Sequence, residues 1–199
     1  MDEAQVRENR EPEAAIAAQA DAMAACARVL CRAARDCDPA SAAEALVHEG
    51  ESGRLGRIAA EALAGGGRCT FDRGLARDLV TALDDAADEL GNAARELASD
   101  GGRPPPPSFL SDTAASAADA VREGVSALCT PTPSPSGTVD AAERVSALVD
   151  AARSRTAAPA PAPDGRVPPR DVAAEALSRA VDRLEDVASI LRDIAYELD

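Results

Sequence analysis

Asp84 and Asp88 stand one helical turn apart in the run Leu83-Asp-Asp-Ala-Ala-Asp88. On a helix, both carboxylates then point the same way. Such a pair suits a hard or borderline cation, because carboxylate oxygens bind magnesium, manganese, iron and, at need, zinc. A working site also needs acids from a second helix that faces the first. The plainer reading is that Asp and Glu coat the exposed faces of an acidic protein. Other chemistry is poorly supplied. His48 is the sole histidine, so no Ser/His/Asp or Cys/His arrangement is supported, and a surface position for it is the simpler reading. Gly65 to Gly67 lack the preceding strand and the Gly-Lys-Ser/Thr that a phosphate-cradling loop uses. The cysteines, Cys26, Cys31, Cys37, Cys69 and Cys129, are odd in number and form no CxxC. They read as reduced thiols serving mostly as small apolar residues in helices.

The acidic pair sits on the most regular helix of the chain. Leu75, Leu79, Leu83, Ala86, Leu90, Ala93 and Leu97 recur in steps of three and four, a heptad-like core stripe. Asp84 and Asp88 fall on the side away from that stripe. Asp72 is placed to cap the helix, which should run to about Asp100. Before it, one helix is expected over Pro12–Asp36, ended by Cys37-Asp-Pro. Another is expected over Pro39–Leu63, with Leu55, Ile58 and Leu63 on its apolar face. It should bend or fray at His48 to Gly53, where two glycines each weaken a helix by roughly 1 kcal/mol. After the acidic helix, the spacing predicts helices over Ser108–Cys129, Val139–Arg155 and Asp171–Leu198. The TPTPSPSGT segment reads as a loop.

The resulting organisation is an acidic disordered tail over residues 1–11, a first three-helix repeat over 12–100 and a proline-rich linker over 101–107. A second three-helix repeat covers 108–199, with a long Pro/Ala loop at 156–170. Composition agrees with an all-α fold. The aromatics are only Phe71, Phe109 and Tyr196, whereas β-sandwiches and barrels lean on aromatic and β-branched residues. Closely packed helices can build a core from Ala, Leu, Val and Ile.

The net charge is −14 and all 21 basic residues are Arg. An acidic surface repels phosphate backbones and no basic patch stands out, so nucleic acid is excluded as a partner. No uninterrupted apolar run approaches the ~20 residues of a membrane span, and the charged start, MDEAQVRENREPE, reads as neither signal nor anchor. Direct membrane insertion is therefore not expected, and the location expected is cytoplasmic.

The run from Glu49 through Phe71-Asp72-Arg73 to Leu83, Asp84, Asp85 and Asp88 resembles the first half of PhoU-like proteins, in the branch associated with Pit-type inorganic phosphate transporters. That branch reads E-x-x-x-D, then F-D-R, then L-D-D-x-x-D. The last helix is also similar to the family's closing helix, through Asp182, Glu185, Asp186, Val187 and Ala188. The resemblance implies a six-helix PhoU-like bundle built from two three-helix repeats. It implies a non-enzymatic accessory or regulatory role in phosphate uptake, through docking on a transporter at the inner face of the membrane. It also implies metal sites for iron, zinc or another divalent cation, which here would draw on Glu49, Asp84, Asp88, Asp182 and Asp186. The chain departs from the metal pattern: Gly53 stands where an acid is expected after Glu49, and Ser146 and Ser178 stand where acids would precede Asp150 and Asp182. The FDR turn also lacks the proline that precedes it in the family. The alternative is a helical interaction or structural module that has lost the metal sites and the transporter link and pairs with a second copy or another helical protein.

The acid excess fits either high-GC codon bias or adaptation to high salt, where surface carboxylates aid solubility. We expect the fold to persist as salt is withdrawn, as codon bias requires. Unfolding at low salt, followed by circular dichroism, would instead assign the charge to high-salt adaptation.

Overall fold

The computed structural model describes residues 11–99, 106–156 and 171–199. Among them it holds six α-helices and no strand: α1 (Glu11–Asp36), α2 (Pro39–Ala64), α3 (Arg73–Ser99), α4 (Ser108–Leu128), α5 (Pro135–Thr156) and α6 (Val172–Leu198). The tail assigned to residues 1–11 lies outside the described residues except for Glu11, which opens α1. Most of the linker at 101–107 and of the loop at 156–170 lies outside them as well.

Local signals set the helix limits. Cys37 takes a left-handed conformation, φ 51°, which ends α1. Asp38 then caps α2, accepting from the Ala40 and Ser41 amides, with Pro39 in the first turn. Gly65 closes α2, and Gly66 follows at φ 92°, a conformation glycine adopts without steric penalty. Asp171 caps α6 through the Ala174 amide at 3.0 Å. Helix α5 begins at Pro135, four residues before the expected Val139. Pro135 suits a first helical position, and the Ser134 hydroxyl accepts from the Gly137 amide at 3.3 Å, so the end of the TPTPSPSGT loop is helical.

Helix α2 packs on α1 and α3, and α5 packs on α4 and α6. The two three-helix units join where α1 meets α4 and α3 meets α6. Both joints are antiparallel. Arg28 and Arg35 of α1 pair with Asp119 and Asp112 of α4, in reversed order. Glu89 of α3 meets Arg179 of α6, while Asp72 at the start of α3 donates its amide to Glu197 at the end of α6. The core therefore lies on the inner faces of α1, α3, α4 and α6. Ile16, Met23 and Leu30 in α1, Leu83 and Leu90 in α3, and Leu177, Leu184 and Leu191 in α6 recur every seven residues and are fully buried. Alanines fill the space between them. By length and composition α1 could cross a bilayer, because alanine counts as apolar. Yet 67% of its most apolar window is buried inside the bundle, so here it is a core helix.

Two expectations for α2 fail. It does not fray at His48 to Gly53 but is helical without a break. Its small residues are contact points. Ser52 is buried and donates to the Gln19 carbonyl of α1 at 3.3 Å. A Cβ added to Gly56 would stand 2.7 Å from Gln19 Nε2. The Gln19 amide is itself buried and donates to the Val80 carbonyl of α3 at 3.1 Å, so it cannot move aside freely. Second, Ile58 is not on the apolar face: it is 41% exposed, and Val47 is 70% exposed.

These contacts separate the glycines of α2. Gly56→Ala forces Gln19 from its seat, and we expect a loss of about 1–3 kcal/mol. A Cβ on Gly50 would meet nothing within 4 Å, so Gly50→Ala should stabilise by up to about 1 kcal/mol through helix propensity alone. Thermal unfolding of the two variants beside the parent checks this; equal shifts for both would contradict the packing account.

Candidate functional site

The FDR turn sets the origin of α3. Phe71 is buried, 5% exposed, and anchors the turn in the core. The Asp72 carboxylate accepts from the amides of Gly74 at 2.7 Å and Leu75 at 3.1 Å, which makes it the cap of α3, as its position in the sequence indicated. Arg73 donates to the Gly67 carbonyl at 3.4 Å. The conspicuous tripeptide is thus structural: it fixes the start and rotation of α3, and with them the direction of Asp84 and Asp88, about three turns further on.

Helix α2 runs antiparallel to α3 and brings Glu49 to the same seam. Its side chain is 18% exposed. Gly91 makes the room, since a Cβ there would stand 2.8 Å from Glu49 Cγ. Arg95, one turn beyond Gly91, reaches Glu49 Oε1 at 3.4 Å. Burial pushes the Glu49 carboxyl above the usual range. Arg95 opposes this, while the charge and hydrogen bond of Asp88 and the charge of Asp84 add to it. Asp84 is half-buried against α2, whereas Asp88 is exposed. Burial raises the Asp84 carboxyl as well, helped by Asp88 and Asp85 and opposed by Arg57. A Cβ at Gly53 would lie 3.5 Å from Asp84 Oδ1 and 3.9 Å from Arg57 Nη1. The seam therefore gathers Glu49, Asp84 and Asp88 with two guanidinium groups among them.

Asp182 and Asp186 belong to a different seam. Arg153 of α5 holds Asp182 at 2.8 Å and Glu185 at 2.7 Å, and Arg183 holds Asp186 at 3.2 Å. One cation bridging the two acidic pairs would have to join seams that each carry their own arginine. The seams do correspond. Arg192 donates to Ser146 at 3.2 Å across α6 and α5, and this pair is separated by 46 residues, as are Arg95 and Glu49. Ser146 thus stands in the second unit where Glu49 stands in the first. Among the described residues, no set of three or more His, Cys, Asp or Glu side chains lies close enough to hold a metal ion. The donor set does not fit a metal cluster, because Arg95 already pairs with Glu49, Arg57 lies near Asp84, and Gly53 and Ser146 contribute no carboxylate.

Four of the five thiols are held unreactive by burial, while Cys37 is exposed. Burial pushes Cys26 and Cys129 up to about 12 and Cys69 to about 11, and it raises Cys31 too. They are protonated at neutral pH, and the thiolate is the form that attacks or ligates. Only Cys26 and Cys31 lie within a helix; Cys37, Cys69 and Cys129 sit at helix ends or in the turn before α3. His48 has no hydrogen-bond partner among the described residues. Sequence reasoning missed one feature, a cleft between α1 and α4 lined by Arg28, Arg32 and Arg35. The signal was available as Arg-x-x-x-Arg-x-x-Arg, which puts three guanidinium groups on one helical face. A search for basic runs passes over it in so acidic a chain.

No protein-family model matches the chain, and no curated protein matches it at a significant level.

The Glu49 and Asp84 carboxyls make a pH-dependent contribution to stability. A folded pKa above the unfolded value means that the contribution is fully present below the unfolded pKa and is lost as pH rises through the folded one. At neutral pH the ionised Asp84 is therefore a burden on the fold. Asp84→Asn should raise Tm at pH 7 by roughly 1–2 °C, and the gain should vanish below about pH 4. A lower Tm at pH 7 would show that Arg57 outweighs burial and the neighbouring acids.

Proposed function

We propose that this chain is a non-enzymatic accessory protein of inorganic phosphate transport, of the PhoU-like kind, that docks on a Pit-type transporter from the cytoplasmic side. The observation that carries the reading is the register of Glu49, Phe71-Asp72-Arg73 and Asp84/Asp88 in a six-helix bundle: Glu49 and the acidic pair meet at one seam, and the tripeptide fixes the start of the helix that carries the pair. Charge supports the direction of docking. Cytoplasmic loops of membrane proteins carry an excess of Lys and Arg, and a surface of net charge −14 is complementary to them. The absence of enzymatic chemistry from the reading rests on a lone histidine and on thiols held protonated by burial.

A second reading, a helical interaction module without the metal sites or the transporter link, is favoured by Gly53 and by Arg57 and Arg95 among the acids. One experiment separates the two. Tagged protein is recovered from native membranes beside an Asp84→Ala/Asp88→Ala variant, and co-purifying proteins are identified by mass spectrometry. The transporter reading expects a phosphate transporter with the parent, and a yield several-fold lower with the variant and at high salt, where charge attraction is screened. Recovery of no phosphate transporter under several salt conditions would pass the case to the interaction module.

A further inference from the structure

The face of α1 that meets α4 carries Arg28, Arg32 and Arg35. Helix α4 runs alongside in the opposite direction and answers with Asp119, Ser116 and Asp112. The outer rungs of this ladder are ion pairs. Arg28 pairs with Asp119, and Arg35 places Nε and Nη2 at 3.1 and 2.6 Å from Asp112 Oδ1. The middle rung is different. Arg32 shares the cleft with Ala115 and Ser116 and has no carboxylate partner among the described residues.

The cleft has a volume of about 320 Å³. Set against Asp112 and Asp119, the three guanidinium groups leave one positive charge uncompensated, that of Arg32, on a chain whose net charge is −14. Each guanidinium has five N–H donors, so Arg28 and Arg35 keep donors beyond those given to Asp119 and Asp112. The Ser116 hydroxyl adds another donor. The Cys31 thiol donates to Asp112 Oδ1 at 3.3 Å and stays neutral, because burial and that bond raise its pKa, so it does not oppose an anion.

We propose that this cleft binds a small phosphate-type dianion, inorganic phosphate or a phosphate monoester, held by Arg32 at the centre with Arg28, Arg35 and Ser116 around it. The guanidinium fork matches phosphate oxygens two at a time. Donors from three guanidinium groups and a hydroxyl suit the several oxygens of a phosphate better than the two of a carboxylate. The volume lies near the bottom of the range of about 300–1,000 Å³ for ligand pockets, so the ligand is a compact headgroup rather than a nucleotide or a polyanion. This inference does not rest on the transporter reading and stands or falls on the isolated protein.

The test is isothermal titration of the full-length chain with inorganic phosphate and, separately, glycerol phosphate, at constant ionic strength balanced with sodium chloride. Saturable binding is expected, weakened about tenfold or more by Arg32→Gln, the factor a charge-assisted hydrogen bond commands. Ser116→Asp sets a carboxylate in the middle rung; it should weaken binding likewise and raise Tm. Tighter binding of phosphate than of glycerol phosphate assigns the free ion, and the reverse assigns the ester; either upholds the site. Both substitutions fall at exposed positions, and circular dichroism checks that the fold is kept. Heats indistinguishable from those of chloride, or binding indifferent to Arg32→Gln, would overturn the proposal.

Discussion

An alanine side chain reaches so short a distance from its helix that two alanine-rich helices touch only when their backbones come close. This chain accepts that constraint throughout. Its core has one well-buried aromatic ring, Phe71, and otherwise depends on leucines spaced by heptads with alanines between them. Close approach then decides which residues can stand at the crossings. Gly56 lies against Gln19, Gly91 against Glu49, and Gly124 against Leu191 and Ala141. The buried Gln19 shows the other side of the same constraint: where helices come this near, one residue can bond to two neighbours at once, its side-chain amide donating to the Val80 carbonyl and its backbone carbonyl accepting from Ser52.

The charged seams follow from the same geometry. Helices drawn close leave room for charged groups only along the outer edges of each contact. There Glu49 of α2 and the acids of α6 meet arginines from their own helix or the neighbouring one. The acid excess is thus not spread evenly. Glu49 and Asp84 are pressed into the α2–α3 seam and their carboxyls are raised by burial, whereas Asp182 and Glu185 are drawn into ion pairs with Arg153. Surface ion pairs of this kind add little stability individually. They set which carboxylates remain free to meet a partner's charge.

Most of the fold was legible because heptad periodicity and cap chemistry act locally. The stripes of α3 and α6, the cap at Asp72 and the break at Cys37 could all be read without tertiary information. Helix α2 was misread for the opposite reason. Gly50 and Gly53 look like helix breakers in isolation, but the turn between them is held against α1 by the buried Ser52, whose partner Gln19 is distant in sequence. Ile58 was placed inward because a weakly amphipathic helix gives no firm phase. At the candidate site, the spacing of Asp84 and Asp88 was visible, and the meeting of Glu49 with Asp88 was suggested only by resemblance. That Arg57 and Arg95 enter the seam, and that Asp182 and Asp186 lie in another, depends on which helix faces which. One chain's spacing does not encode that.

The antiparallel pairing of α1 with α4 and of α3 with α6 gives the molecule a pseudo-two-fold arrangement. Each three-helix unit covers the outer face of its first and last helices with its middle one, and leaves their inner faces bare. A second copy of the same unit, turned about a two-fold axis, could cover those faces with the same geometry. The molecule thus has the construction of a homodimer carried on a single chain. The Glu49–Arg95 pair in one half and the Ser146–Arg192 pair in the other occupy matching places in that construction with different chemistry.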